Sequence, residues 1–599
     1  MVSVKQSRTV AGWFVIAFHL LLLLDYSSAA APQGPPATPK GPSTAPQGPS
    51  AAPQGPSGAP SGAPQGPSGA PSGAPQGPSG APGYWDIDWN RPNVKASSSF
   101  KILATNFTVI SQAENQAEVS FTKVFKTGDE ADIPVNFDKR FIMLPGVSGF
   151  YTYGIYDHPK GAPDVDIDQT RIVFKLSTTS FKYLAVTDEI QGEMPSYAER
   201  EAGQILDYKE AVLLKETANP KLKGKVDDKY TFALESQDMG VYGWISPKPH
   251  VGFWVITASN EFRLGGPIKQ DLTCHCGPFA LSMFLSAHYA GENWGIRLRN
   301  GEAWRMVFGP VFAYLNSDTG ADHKTLWEDA KKKSYQFWTR TDDTGNFKIG
   351  AIRPGTYSLY AWAPGHLGDF IHKANLTIKP GDDIKVGDLV FTPPRNGTTL
   401  WEIGTPDRRA AEFFIPDPTP ELQNSLISNG SEKWRQYGLW NRYTDLYPKT
   451  DLVYNVGKSD PAKNWFYAHV NRKTGNNTYA ATVWTVTFPL EAVDAKGSYT
   501  LRIAVASATR GVLMIWVNSD TEKKKPNFTA RLEGRDNAVA RHGIHGLYEE
   551  VRFGIPGSVL VKGENTLKLR QAKGEYVFNG LMYDYLRLEG PAAAPPPKS

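Results

Sequence analysis

Arg171-Ile172-Val173-Phe174-Lys175-Leu176 carries the signature that decides the fold. β-Branched and aromatic side chains in a short run, alternating with polar ones, read as a strand of a sandwich. The same signature recurs in Phe107-Thr108-Val109-Ile110, Ala117-Glu118-Val119-Ser120-Phe121 and Gly252-Phe253-Trp254-Val255-Ile256. These runs predict an all-β sandwich domain over 84–333, with Thr325 to Lys333 as the best candidate for a connecting helix. A second unit is predicted over 334–395. Gly345-Asn346-Phe347-Lys348-Ile349 and Arg353-Pro354-Gly355-Thr356-Tyr357-Ser358-Leu359-Tyr360-Ala361-Trp362 read as alternating strands around a Pro-Gly turn. That pattern suits a small fibronectin type III-like or prealbumin-like sandwich acting as a spacer.

A third all-β unit is predicted over 396–590. Its strands include Thr482-Val483-Trp484-Thr485-Val486-Thr487-Phe488 and Tyr499-Thr500-Leu501-Arg502-Ile503-Ala504-Val505-Ala506, and its length suits a jelly roll. Trp434 to Trp440 and Trp465-Phe466-Tyr467 are either platforms for sugar rings or core. Residues 591–599 form a Pro-rich tail.

The N-terminal end speaks of address. Residues 1–30 have a basic start (Lys5, Arg8), an apolar stretch from Val10 to Leu24, and the small-residue exit Ser27-Ser28-Ala29-Ala30. This is the plan of a secretory signal peptide, and the apolar run is shorter than the roughly 20 residues a bilayer needs. Residues 31–83 collapse to Ala, Pro, Gly, Ser and Gln. The unit Ala-Pro-Gln-Gly-Pro-Ser-Gly-Ala-Pro-Ser-Gly starts at Ala52 and recurs at Ala63. With almost nothing to bury, the segment is expected to be an extended tether. N-glycosylation acceptors lie at Asn106, Asn375, Asn396, Asn429, Asn476 and Asn527, as expected of an extracellular, cell-wall glycoprotein.

Composition narrows the function. The 599 residues carry 64 basic and 60 acidic groups, a net charge of +4, which argues against a nucleic-acid binder driven by bulk charge. Cys274 and Cys276 are the two cysteines, so neither a disulfide scaffold nor a multi-cysteine metal framework is present. Their Cys-x-Cys spacing is poor for structural zinc, and no metal is assigned.

Longer phrases point further. From Gly83-Tyr84-Trp85-Asp86 to Gly590 the chain resembles the plant-type rhamnogalacturonan endolyases of polysaccharide lyase family four. The resemblance rests on Asp138-Lys139-Arg140-Phe141-Ile142-Met143-Leu144, Gly149-Phe150-Tyr151-Thr152-Tyr153-Gly154-Ile155-Tyr156, Gly265-Gly266-Pro267-Ile268-Lys269-Gln270-Asp271-Leu272-Thr273 and Leu285-Ser286-Ala287-His288-Tyr289-Ala290-Gly291. Leu400-Trp401-Glu402-Ile403-Gly404 and Met582-Tyr583-Asp584-Tyr585-Leu586-Arg587-Leu588 add to it. It implies a catalytic β-sandwich, a fibronectin-like spacer and a carbohydrate-binding-like jelly roll. It also implies a monomer acting on pectic polysaccharide, without a cofactor, nucleic acid or membrane. Family members carry further strands before the Gly-Tyr-Trp-Asp phrase. Here the repeat stands in that place, so the sandwich is expected to lack its first strands and to leave an exposed edge.

The implied reaction is β-elimination at a galacturonate whose oxygen 4 carries rhamnose. No water is consumed, so paired carboxylates are not required, and basic residues do the work. By similarity Lys229 is the base and His288 the acid to the leaving oxygen. A lysine with its usual pKa near ~10.4 is a poor base unless its charged form is disfavoured. Arg171 and Lys175 match a pair of basic residues four apart, which share one strand face and can meet one substrate. Arg171 would fork onto the uronate carboxylate while Lys175 supplies a point charge. Lys269 is a further substrate-site candidate. The two tyrosines that fungal members place before the histidine read Leu281 and Met283 here. The alternative function is a catalytically inactive pectin-binding wall protein.

Overall fold

The computed structural model describes residues 2–7 and 83–592, apart from 93–95, 208–209, 258–259, 261, 292–293, 335–337, 351, 353, 364–369, 393–394, 425–431, 520–523, 536, 573 and 575. The tether, the tail from 593 and most of the leader lie outside the described residues, as does Asn429.

The first unit is a sandwich. Alternation in Asn136–Met143 and Gly149–His158 buries every second residue, so each strand offers one face to a partner layer. One sheet has nine strands, running from Gln191–Glu193 at one edge to Asn106–Ala113 at the other. The facing sheet orders Phe279–Ser286, Val165–Lys175, Gly83–Arg91 and Ala96–Lys101. Between them pack Trp85, Ile87, Phe137, Tyr156, Ile172, Phe174, Phe284 and Phe308. At the far edge Phe107, Val109 and Ile110 are 45 %, 42 % and 43 % exposed on the end strand. Such an apolar edge is a surface other proteins blunt with charge or cover.

The predicted connecting helix is His323–Lys333. Asp322 accepts from the Lys324 amide at 3.0 Å, which starts the helix two residues earlier than the apolar pattern alone indicates. Its Leu326, Trp327 and Ala330 cover Ile245, Trp254, Ile256 and Phe312 on the outer face of the nine-stranded sheet.

The middle unit centres on Gly355–Ala361, whose Tyr357 and Leu359 form a small core with Phe347, Ile349, Leu376 and Ile378. Phe347-Lys348-Ile349 is not a strand, contrary to expectation. Val2–Ser7 instead pairs antiparallel with Gly355–Ala361, Val2 opposite Ala361 through Ser7 opposite Thr356. Phe347 and Ile349 reach the core from an irregular segment after a turn in which Asp342 accepts from the Thr344 and Asn346 amides.

The third unit is built on the twenty-residue strand Ser498–Val517. Its first half pairs with Glu549–Pro556 and Gly580–Glu589, and its second half with Phe528–Arg535 and Gly563–Gln571. A register shift between Thr509 and Gly511, with Arg510 at φ 50°, marks the bend between the halves. Trp434, Trp440, Trp465, Phe466 and Tyr467 are all buried, so these aromatics are core and not sugar platforms.

A carboxyl cluster in this unit makes stability depend on pH. Asp584 is fully buried and accepts from the Asp407, Arg408 and Arg409 amides at 3.1, 2.7 and 3.2 Å. Burial, with Asp407 and Glu412 nearby, pushes Asp584 well above the usual range. Burial also pushes Glu412 up to about 8. A carboxyl whose folded pKa is raised contributes stability that is complete below its unfolded value and lost as pH rises through the folded one. The melting temperature should therefore fall between about pH 5 and pH 8, and Glu412→Gln should flatten the slope. An unaltered slope in that variant would remove Glu412 as its source.

The first and third units share one core. Val173, Tyr230, Leu281, Met283 and Tyr289 pack in the same buried cluster as Trp401, Phe413, Trp440 and Ile544. Burial of this kind contributes roughly 25 cal/mol per Å² of apolar surface, so the two units hold a fixed mutual position. Leu281 and Met283, where fungal relatives were expected to have tyrosines, are thus interface core.

Candidate active site at the junction of two units

Lys229 opens the short 3-10 turn Lys229–Phe232, all four residues of which are buried. Asp228 caps the turn by accepting from the Tyr230 amide at 3.0 Å. The lysine Nζ donates to Glu210 Oε1 at 3.1 Å and stands 5.1 Å from the centre of the Tyr230 ring. Burial lowers the lysine pKa. Glu210 opposes that shift, and the Arg541 charge adds to it. The amine is thereby brought toward a working base, which an exposed lysine is not.

His288 follows the strand Phe279–Ser286. Its Nδ1 is hydrogen-bonded with Ser286 Oγ, and its amide donates to the same oxygen at 3.0 Å. The ring lies 5.9 Å from the Tyr230 ring, centre to centre. Burial holds its pKa well below the usual value, and the charges of Arg541, Lys229 and Arg171 act in the same direction. Tyr289 beside it has φ 67°, a conformation that costs a non-glycine residue about 1–2 kcal/mol. Its amide donates to Asn537 Oδ1 of the third unit at 3.0 Å, which helps hold it there.

Arg171 and Lys175 do share a face of Val165–Lys175, but their heads are placed differently from expectation. Arg171 closes its fork on Asp86, with Nε at 3.0 and 3.1 Å from the two carboxylate oxygens and Nη2 at 3.0 Å. The Nε and Nη2 edge of the guanidinium is thereby engaged. Its charge still reaches His288 and His275. Lys175 Nζ rests 5.3 Å above Tyr84 and 5.6 Å above Phe279, with its pKa lowered by burial and by Lys101. Lys269 is buried, with its ammonium paired to Asp271 and donating to the Gln270 carbonyl at 3.1 Å. These bonds hold the 265–271 turn.

Several site residues had no local signature. Glu210 partners Lys229 from a loop. Arg200 ties that loop to the turn, donating to the Glu210 carbonyl at 2.9 Å and the Asp227 carbonyl at 3.1 Å. The third unit supplies the rest. His542 Nε2 meets Asp228 Oδ2 at 2.9 Å, the Ile544 amide donates to Gln270 Oε1 at 3.1 Å, and Asn424 donates to the Val226 carbonyl at 3.2 Å. Burial would push Asp228 up, but the His542 bond and charge outweigh it and hold the carboxyl low. The Arg541 guanidinium lies 4.9 Å from the Tyr230 ring centre, so three basic groups converge on one ring. The thiols of Cys274 and Cys276 are buried nearby, with pKa values raised by that burial.

Of the glycan acceptors, Asn106, Asn375, Asn396, Asn476 and Asn527 are exposed. Among the described residues no helix is long and apolar enough to cross a membrane.

Residues 79–226 match the rhamnogalacturonate lyase family, 311–386 match domain II of polysaccharide lyase family 4, and 399–588 match domain III of the same family. Lys229 and His288 fall between the matched segments. The chain is 22 % identical over 538 residues to a rhamnogalacturonate lyase of Dickeya dadantii, covering 79 % of this chain and 82 % of that protein. It is 31 % identical over 464 residues to a probable rhamnogalacturonate lyase B of Aspergillus niger, covering 63 % of each. Against a probable rhamnogalacturonate lyase C of Emericella nidulans it is 31 % identical over 516 residues, covering 69 % of this chain and 46 % of that one.

Proposed function

Since the chain belongs to the rhamnogalacturonate lyase family, polysaccharide lyase family 4, we propose that it is a secreted enzyme that cleaves the rhamnogalacturonan I backbone by β-elimination. The observation that carries this reading is the convergence of Lys229 and His288 on the Tyr230 ring, both with proton affinities lowered by burial and neighbouring cations. Lys229 takes the proton from carbon 5 of the galacturonate. The electron pair forms the carbon 4–carbon 5 double bond, and the bond from carbon 4 to the rhamnosyl oxygen breaks. His288 delivers a proton to that oxygen. An anionic uronate entering beside Arg541 and Lys229 offsets their charge and raises the imidazole's proton affinity, as the acid role requires.

Secretion is supported by five exposed acceptor asparagines, whereas Val2–Ser7, inside the segment read as a signal peptide, pairs with Gly355–Ala361 and runs against that reading. The exposed apolar edge at Phe107 and Val109 favours a second reading, a pectin-binding wall protein without turnover.

Purified protein from the culture medium decides between them, incubated separately with rhamnogalacturonan I and homogalacturonan. The ultraviolet absorbance of unsaturated uronate should rise with the first polymer only. Folded protein that binds rhamnogalacturonan without any rise would replace the lyase with the binder.

A further inference from the structure

Beside the helix His323–Lys333 lie two hollows that the reaction does not use. The walls of one, of about 620 Å³, include Asp188, Asp322, Lys324, Trp327 and Glu328. The walls of the other, of about 600 Å³, include Glu193, Leu214, Lys221, Lys225, Asp227 and Phe232. Both fall in the size range of ligand pockets. Tyr183 and His323 line both hollows, with their rings 4.4 Å apart centre to centre, so this ring pair forms a bar between them. Neither hollow is lined by Lys229, Tyr230 or His288, although Phe232 closes the turn that Lys229 opens.

The bar is held from several sides. The Tyr183 hydroxyl donates to Gln191 Oε1 at 3.2 Å. His323 Nδ1 lies 3.1 Å from His250 Nε2, and His250 is bonded in turn to Asp318. Asp322 caps the helix at the Lys324 amide, which fixes the backbone at His323. Rings fixed in advance lose little freedom when the C–H face of a sugar settles on them.

The hollows differ in charge. In the first, Asp188, Asp322 and Glu328 outnumber Lys324. Their oxygens suit the hydroxyls of a neutral sugar and repel an anionic one. In the second, Asp227 is neutralised by Arg200, and Glu193 accepts from Asn219. Lys223 pairs with Glu216 at 3.2 Å, whereas Lys221 and Lys225 are in no ion pair among the described residues. Two ammoniums are thereby left to meet an anion.

We propose that this groove is a second binding site for the acidic polysaccharide, apart from the catalytic centre. A chain that alternates a neutral sugar with a uronate crosses the Tyr183–His323 bar. The uronate carboxylate lies at Lys221 and Lys225, and the neutral sugar donates its hydroxyls into the acidic hollow. The identity of the polymer rests on the lyase reading, while the preference for a uronate rests on the charges of the groove.

Calorimetry compares rhamnogalacturonan I with the same polymer after its carboxyl groups have been reduced to alcohols. The double variant Lys221→Gln with Lys225→Gln should bind the acidic polymer about tenfold more weakly, as loss of two partly exposed charge contacts does. Its affinity for the reduced polymer should equal that of the unaltered chain. An undiminished affinity for the acidic polymer, or an equal loss on both, overturns the proposal. Kinetics place the lysines. The KM on the polymer divided by the KM on a short oligosaccharide should rise about tenfold in the double variant. A ratio that stays constant would put both lysines at the catalytic centre or at neither site, and the second site would fall. If the unaltered chain releases no unsaturated product, the lyase reading fails while the calorimetric comparison still decides the groove.

Discussion

Lys229→Ala should reduce the rate of unsaturated-uronate formation by about 10²–10⁴-fold, the usual contribution of a positioned base, while binding of the polymer is largely kept. The reason lies in how the amine is held. It is buried beside Glu210 and Tyr230. Folding should survive the change, because Glu210, left behind, has a side chain 32 % exposed and regains water. His288→Ala should be slow for a different reason, which the leaving group reveals. A substrate whose leaving oxygen needs no proton should rescue the histidine variant and leave the lysine variant slow. The reverse result would exchange the two roles.

Glu210 makes this pair adjustable. Its carboxylate favours the charged lysine, so the active neutral amine appears only as pH rises through the lysine pKa. Glu210→Gln removes that opposition. The alkaline-rising limb of the pH–rate profile should move toward lower pH in this variant. A limb that stays in place would show that another group is titrating.

His542→Ala should give the largest loss of stability at the site, about 1–3 kcal/mol, the typical cost of leaving a buried acceptor without its partner. Asp228 is fully buried, and its carboxylate is spent on two partners, the Tyr230 amide and His542. Without the histidine a charge remains inside the shared core with half its satisfaction gone. The Asp228 contribution carries a pH signature as well. A carboxyl held low in the fold adds stability above its unfolded pKa, and that stability is lost as pH falls through the folded value. His542→Ala should reduce this acid sensitivity. Turnover should fall with stability, since Asp228 caps the turn that presents Lys229. Chemical denaturation of the single variants and of His542→Ala with Asp228→Ala measures the coupling, and the double variant should be less destabilised than the two losses summed. Strict additivity would mean that the two units merely abut here.

The residue-by-residue record shows where local reading reaches its limit. The strand at Arg171 to Lys175 was visible as a β-branched and aromatic run, and Arg171 and Lys175 do lie on one face, because strand geometry fixes the direction of successive side chains. The engagement of Arg171 with Asp86 was not visible, since 85 residues separate them and cross-strand register sets the pair. Trp434 and Trp465 offered sugar stacking and burial alike in sequence, and packing of the third unit chose burial. Phe347 and Ile349 alternate as a strand does but pair with none, Val2–Ser7 lying beside Gly355–Ala361 instead.

The sequence by itself determined the all-β class and the family, and it singled out Lys229 and His288 as candidates. Each of these is written in local periodicity or in contiguous phrases. Only the tertiary structure decided what surrounds Lys229 and His288. Glu210, Asp228, His542 and Arg541 come from separate loops and from another unit, up to 314 residues apart in the chain. Their proximity follows from burial of one hydrophobic core between two sandwiches, a long-range energy that no local pattern records.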